Sequence, residues 1–421
     1  MNIKLKENNT YILSRLALKT ITVFKVLLIG FLYGTNEQYG IQVYVMAISN
    51  GLILPLSDIA GIIFSQKSTN SKNESLKKFY NLAFPTINLL VIFLAIISLI
   101  VCSLRKDLFN ISNSYLIFLV ILYALNGYLN IIRCVFGTFY WSSFGIRKFT
   151  IKLIYSNLIG LIIFLSFVKI TILAFPLSMI FNELALILLT GKNKTLGIVF
   201  KYKKNIMSLK ISLKYMSRFL FPLISNILVI IFTLSEQMIA TSVSISFLAI
   251  ISYTNIIINN LDSIFGFAEK CLSLVSTKKT DQLPRIFKIR YFLFSMFIIL
   301  FLFLGFLSDQ YSFNFGSLNS KDLNSIFMLC ALIVPSLFLS IKQSILTRTN
   351  ILKKRGVFSF FATLFVLLIC FFYSYRINNI AIYSPLIFYA LLHYIYNYGS
   401  LIGQYYVFRK FSKYFFFDNK A

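Results

Sequence analysis

Apolar residues in this chain run on in long stretches instead of alternating with polar ones. From Phe292 to Leu307 only Ser295 and Gly305 interrupt an otherwise apolar tract. Such stretches are separated by short basic tracts or by clusters of Asn, Ser and Asp. An α-helix rises about 1.5 Å per residue and needs about 20 apolar residues to cross a bilayer. On that measure the pattern predicts twelve spans: 11–33, 39–63, 80–104, 114–137, 151–168, 170–190, 215–234, 237–262, 291–307, 324–345, 357–375 and 381–407. The fifth and sixth are parted only by Lys169-Ile170, the seventh and eighth only by Ser235-Glu236. A membrane β-barrel would alternate polar and apolar residues with period two, and that alternation is missing. The expected fold class is an all-α polytopic membrane protein: about twelve transmembrane helices in two six-helix bundles around a central cavity.

Composition narrows the classes further. Hydrophobic residues make up 58% of the 421 residues and charged residues only 13%, against about 25% charged in soluble domains. A soluble enzyme, a disordered chain and a secreted disulfide scaffold are excluded. Cys102, Cys134, Cys271, Cys330 and Cys370 are far apart and read as free thiols. The chain holds no phosphate-binding loop, no nucleophile elbow and no zinc-protease motif. The single histidine, His393, lies among Tyr394, Tyr396 and Tyr398 and reads as an interfacial or packing residue. The first apolar stretch lacks a small-residue cleavage site and reads as an uncleaved span.

Charge then sets the expected topology. Lys and Arg total 41 against 13 Asp and Glu, a net +28. Basic residues collect in cytoplasmic loops of membrane proteins. With both termini inside, 30 of the 41 fall in inner segments and only 5 (Arg105, Lys106, Lys169, Lys321 and Arg376) in outer loops. These inner loops would meet anionic lipid headgroups, not nucleic acid. The tract from Lys192 to Lys214 is the longest basic inner segment and sits at the midpoint. It divides the chain into an N-terminal bundle (1–190), a cytoplasmic linker (191–214), a C-terminal bundle (215–407) and a basic tail (408–421). Tyr39–Tyr44 and Leu248–Tyr253 form a weak repeat, each followed by Asn residues and then an acid.

Polar side chains at membrane depth are costly and face a bundle interior or water. On the first span Arg15, Lys19 and Lys25 fall, with Thr22, within an arc of about 120°. Arg15 and Lys19 are near enough to the inner end to snorkel, whereas Lys25 is deeper. On the fourth span Asn126, Asn130 and Arg133 share a face. On the seventh, Arg218, Ser225, Asn226, Thr233 and Glu236 do, with the two charges about 27 Å apart along the axis. The intramembrane acids are Asp58, Glu183 and Asp262, with Glu236 at the outer rim. They read as coupling or gating groups, or as fixed partners of nearby cations. Pro55, Pro85, Pro176, Pro222 and Pro335 fall within spans, where proline permits bending.

Twelve short-looped spans and a basic central linker resemble the polysaccharide-specific branch of the multidrug/oligosaccharidyl-lipid/polysaccharide exporter (MOP) superfamily. The tract Phe31–Tyr44 is similar to the first-to-second-helix connection of Wzx-type O-antigen flippases. Glu236–Ala240 with Phe247–Tyr253 is similar to the seventh-to-eighth connection. The span count sets the chain apart from the fourteen-helix lipid II flippase branch. The resemblance implies a non-enzyme in the bacterial cytoplasmic membrane. Its expected cargo is an undecaprenyl-pyrophosphate-linked oligosaccharide moved from inner to outer leaflet by alternating access, with the polysaccharide polymerase machinery as a potential partner. Lys25, Arg133 and Arg218, with Arg15 and Lys19, are then expected to attract the pyrophosphate. No metal and no cofactor are expected, and the acids leave room for coupling to a proton or sodium gradient. The competing expectations are a cation-coupled multidrug exporter and an O-antigen polymerase.

Overall fold

The computed structural model describes residues 2–57, 60, 83–104, 112–169, 171, 173–191, 214, 220–265, 282–352, 355–379 and 384–411. The expected linker and most of the basic tail lie outside the described residues. The described chain is built of α-helices: α1 (Asn2–Tyr33), α2 (Glu37–Ile53), α3 (Phe84–Ser103), α4 (Asn113–Phe144), α5 (Ile146–Phe167), α6 (Ala174–Thr190), α7 (Leu220–Val243), α8 (Ile245–Phe265), α9 (Leu283–Gln310), α10 (Ser320–Ile333), α11 (Ser340–Leu352), α12 (Gly356–Asn378) and α13 (Pro385–Phe411). These thirteen helices account for the twelve expected spans, because α10 and α11 together replace the tenth.

Seven of the described helical segments are long and apolar enough to cross a membrane, and three shorter apolar helices accompany them. Their outer faces are made for lipid. On α3, Leu89, Ile92, Phe93, Ile96 and Ile100 repeat every three or four residues and are all exposed. In water each such side chain would forgo about 1.5–3 kcal/mol of burial. Inward positions mix apolar side chains with small polar ones: on α3, Ile87, Val91 and Leu94 are buried beside Thr86 and Ser98. The protein is a multi-pass membrane protein.

The chain divides into two compact units, Met1–Leu32 with Ile41–Ile230, and Tyr33–Gly40 with Ile231–Ala421. In the first, α6 packs along both α4 and α5. Gly160 allows the α5 approach, since a Cβ there would lie 3.0 Å from both the Ser178 carbonyl oxygen and Asn182 Cβ. In the second, α9 packs on α10, α12 on α13, and α10 also meets α8 and α13. The turn of residues 33–40 is tied down within this unit. Tyr253 OH donates to the Gly34 carbonyl at 2.7 Å, and Thr35 Oγ1 donates to Asp322 Oδ2 at 2.9 Å. Gly34 holds a left-handed φ of +57°.

Two boundaries and two prolines differ from expectation, each for a physical reason. The seventh span does not end at Ser235-Glu236: α7 continues to Val243, and the break to α8 falls at Ser244. There the Ser244 hydroxyl accepts from the Phe247 N–H at 3.1 Å and caps the new helix. The tenth span breaks at a 3₁₀ turn, Val334–Leu337, which contains Pro335. Pro85 and Pro176 do not bend their helices, because each lies in a first turn where an N–H would have no helical partner anyway.

Arg290, expected in an inner loop, lies inside α9 and is fully buried. Its guanidinium donates to the Phe338 carbonyl at 2.8 Å and to Ser340 Oγ at 2.9 Å, and stacks 4.3 Å from the centre of the Phe294 ring. From the other side α13 grips the same break, with Asn397 Nδ2 donating to Ser336 Oγ and Tyr398 OH to the Pro335 carbonyl.

Candidate functional site

Each unit gathers expected polar residues into one buried cluster. In the first unit the centre is Glu183 on α6, which is buried. Arg133 on α4 places Nε 2.9 Å from Glu183 Oε2. Asn130, one turn earlier on α4, reaches Glu183 Oε1 at 3.5 Å, a long bond. The i, i+3 spacing puts both α4 side chains on the face that meets α6. Lys25 on α1 donates from Nζ to Ser178 Oγ at 2.9 Å and lies 5.9 Å from the centre of the Phe175 ring. Lys25 is also within electrostatic reach of Glu183. Two cations from α1 and α4 therefore converge on one carboxylate of α6. Side-chain exposure is 30% for Arg133 and 9% for Glu183, so the guanidinium keeps an open side while the acid does not.

The second unit is centred on Glu236 of α7. It is buried, and α7 continues past it to Val243 instead of ending there. Tyr389 OH on α13 donates a short hydrogen bond to Glu236 Oε1. Asn255 Nδ2 on α8 donates to the same oxygen at 3.4 Å and to Tyr389 OH at 3.2 Å. His393 Nε2, one turn beyond Tyr389, lies 3.2 Å from that oxygen. The His393 ring also meets Phe232 edge-on, with centroids 5.3 Å apart. His393 is thus more than the packing residue it resembles in sequence: it faces a buried acid.

The remaining expected residues divide by position. Lys19 is half-buried on α1 below Lys25. Arg15 lies on α1 and Asp262 on α8, but their side chains are outside the described residues, as are Arg218 and Asp58 altogether. The conjunction of Tyr389, Asn255 and His393 around Glu236 escaped sequence reasoning. Its available signal was the i, i+4 spacing of Tyr389 and His393, two polar-tipped rings on one face of a membrane helix. Among the described residues no group of three or more His, Cys, Asp or Glu is placed to hold a metal ion.

No protein-family model and no curated protein matches the chain. Solved structures do. A lipid II flippase MurJ in an inward closed conformation matches at 15% identity and a TM-score of 0.64, covering 95% of this chain and 87% of that one. An inward-facing MATE-family multidrug resistance transporter of the MOP superfamily matches at 11% identity and a TM-score of 0.55, covering 94% of each chain. A MOP superfamily transporter from Pyrococcus furiosus, described by a binding pocket of reverse polarity, matches at 13% identity and a TM-score of 0.53, covering 95% of this chain and 93% of that one. At these identities the likeness is one of architecture: the chain has a helical fold like that of these transporters.

Proposed function

We propose that the protein is a flippase that carries a lipid-linked oligosaccharide across the bacterial cytoplasmic membrane by alternating access. The undecaprenyl pyrophosphate is the part it holds by charge. One observation carries this reading: Lys25 and Arg133 converge on a single carboxylate, so the cluster has one positive charge in excess when all three are ionised. A cation drug would be repelled by that excess, and a pyrophosphate attracted. Arg supplies directional bonds to phosphate oxygens, and Lys a point charge that tolerates movement. The MurJ likeness supports the class of cargo, since that neighbour is a flippase of lipid II. The resemblance of the tracts Phe31–Tyr44 and Glu236–Ala240 with Phe247–Tyr253 to Wzx-type flippases supports an O-antigen or similar surface polysaccharide as the product served, with polymerase machinery as a partner.

The test is complementation in a strain lacking the gene, at matched membrane abundance. Lys25→Ala and Arg133→Ala should abolish surface polysaccharide and leave lipid-linked repeat units in the inner leaflet. Lys25→Arg and Arg133→Lys should retain much of the activity. Equal activity in the two sets removes the cationic mechanism.

A second reading is a cation-coupled multidrug exporter, favoured by the MATE-family likeness and by the buried acid at Glu236. Expulsion of cationic drugs that depends on Glu236 but not on Arg133 would decide for it. Within the flippase reading, the Glu236 cluster is where coupling to a proton or sodium gradient would act.

A further inference from the structure

We propose that Glu183 is a place-holder, a built-in carboxylate that occupies the Arg133–Lys25 site when it is empty and that the phosphate of the cargo displaces. This rests on the flippase reading above and adds the device by which the site releases what it binds.

The hold on Glu183 is close at one point and loose elsewhere: Arg133 approaches Oε2 as an ion pair, with no hydrogen bond of good geometry there. Arg133 engages it through Nε at 2.9 Å, whereas guanidinium recognises an anion best with two parallel N–H bonds. The Asn130 bond to the other oxygen is 3.5 Å long. Lys25 gives its close contact to the neutral hydroxyl of Ser178, at 2.9 Å, while its field still reaches the carboxylate. A hydroxyl is easily exchanged for an anionic oxygen, because bonds between charged groups are roughly twice as strong as neutral ones. A pyrophosphate offers more oxygens and more charge than one carboxylate, and Arg133 is the partner with an exposed side.

Without an internal anion, two converging cations would bind a pyrophosphate tightly and release it slowly. With one, each step is an exchange: cargo replaces Glu183 on entry and Glu183 replaces cargo on exit. The site never has to expose both cations unpaired in a low-dielectric interior, where an uncompensated charge is costly.

The inference makes a prediction opposite in sign to a structural role. Glu183→Gln keeps the shape and removes the competing charge. Purified protein in lipid nanodiscs is titrated with farnesyl pyrophosphate, with farnesol as the phosphate-free control. Glu183→Gln should bind the pyrophosphate about tenfold tighter, the factor that corresponds to ~1.4 kcal/mol of lost competition. Its flipping in cells should fall, because release slows. Asn130→Ala, which loosens Glu183 without removing it, should bind more tightly by a smaller factor. The thermal midpoint of each variant is recorded alongside, so that a misfolded Glu183→Gln leaves Asn130→Ala as the deciding case. Unchanged or weaker binding by the folded variants overturns the place-holder. A wild-type protein that binds farnesyl pyrophosphate no better than farnesol overturns the flippase reading itself, and the place-holder with it.

Discussion

Replacing Tyr389 with Phe removes one oxygen from the centre of the second unit and leaves the ring volume in place. Two bonds go with that oxygen: the donation to Glu236 and the acceptance from Asn255. A hydrogen bond to an ionised group contributes about 1.5–3 kcal/mol, and a neutral one about 0.5–1.5 kcal/mol. Since Phe leaves no cavity, the two ranges add to an expected loss of about 2–4.5 kcal/mol. The same change in a Glu236→Gln background removes two neutral bonds and should cost about 1–3 kcal/mol. The double-mutant cycle should therefore return a coupling of about 1–2 kcal/mol, within the range for residues in direct contact. Equilibrium unfolding in mixed micelles measures all four proteins. Near additivity, with a coupling below about 0.5 kcal/mol, would refute the premise that Tyr389 and Glu236 are bonded partners.

Gly34→Ala forces a side chain into a left-handed conformation, which costs about 1–2 kcal/mol, and drives Cβ to 2.4 Å from the Ser317 carbonyl oxygen. A lower thermal midpoint and reduced abundance are expected, and a midpoint equal to wild type would count against the described turn. Arg290→Lys keeps the charge but cannot reach Phe338 and Ser340 together with a fixed fork. It should destabilise nearly as much as Arg290→Met, about 1–3 kcal/mol by unfolding in micelles, whereas full rescue by Lys would mean that charge alone matters. A cysteine at position 203 should resist membrane-impermeant thiol reagents in intact cells, and its labelling from outside would overturn the orientation drawn from the basic loops.

Helix existence was legible because lipid imposes one solution on the backbone: every N–H and C=O must be satisfied within the helix. The pattern around Phe292–Leu307 admits no other fold. Boundaries were less legible where a charge sits deep. Glu236 looked like a helix end because the chain alone displays the cost of the carboxylate. Its partners Asn255, Tyr389 and His393 are 19, 153 and 157 positions further on. The true break at Ser244 carries no charge and one small cap, so it hides inside an apolar tract. Arg290 shows the opposite error: it follows a basic tract and reads as part of it, yet among that tract's described cations it is the fully buried one. Lys25, Arg133 and Glu183 stood out as charges within spans, but their convergence did not. It depends on α1 and α4 both presenting their cations to α6, a property of packing that no local pattern encodes.

The broken tenth segment bears on the order in which the protein is made. At about 1.5 Å per residue, α10 and α11 measure roughly 21 and 20 Å, and a bilayer core is about 30 Å thick. α11 falls short of that thickness, and α10 reaches a crossing length only with the 3₁₀ turn Val334–Leu337 added, so the break lies inside the crossing itself. The Phe338 carbonyl at the break is answered by Arg290, which has already left the ribosome. Ser336 and Pro335 wait for Asn397 and Tyr398, about sixty positions later in synthesis. Until α13 is delivered, the tenth segment holds polar backbone that only a neighbour can cover. The last helix is thus the closing piece of its unit, and a chain halted before residue 397 presents the membrane quality-control machinery with an unfinished crossing.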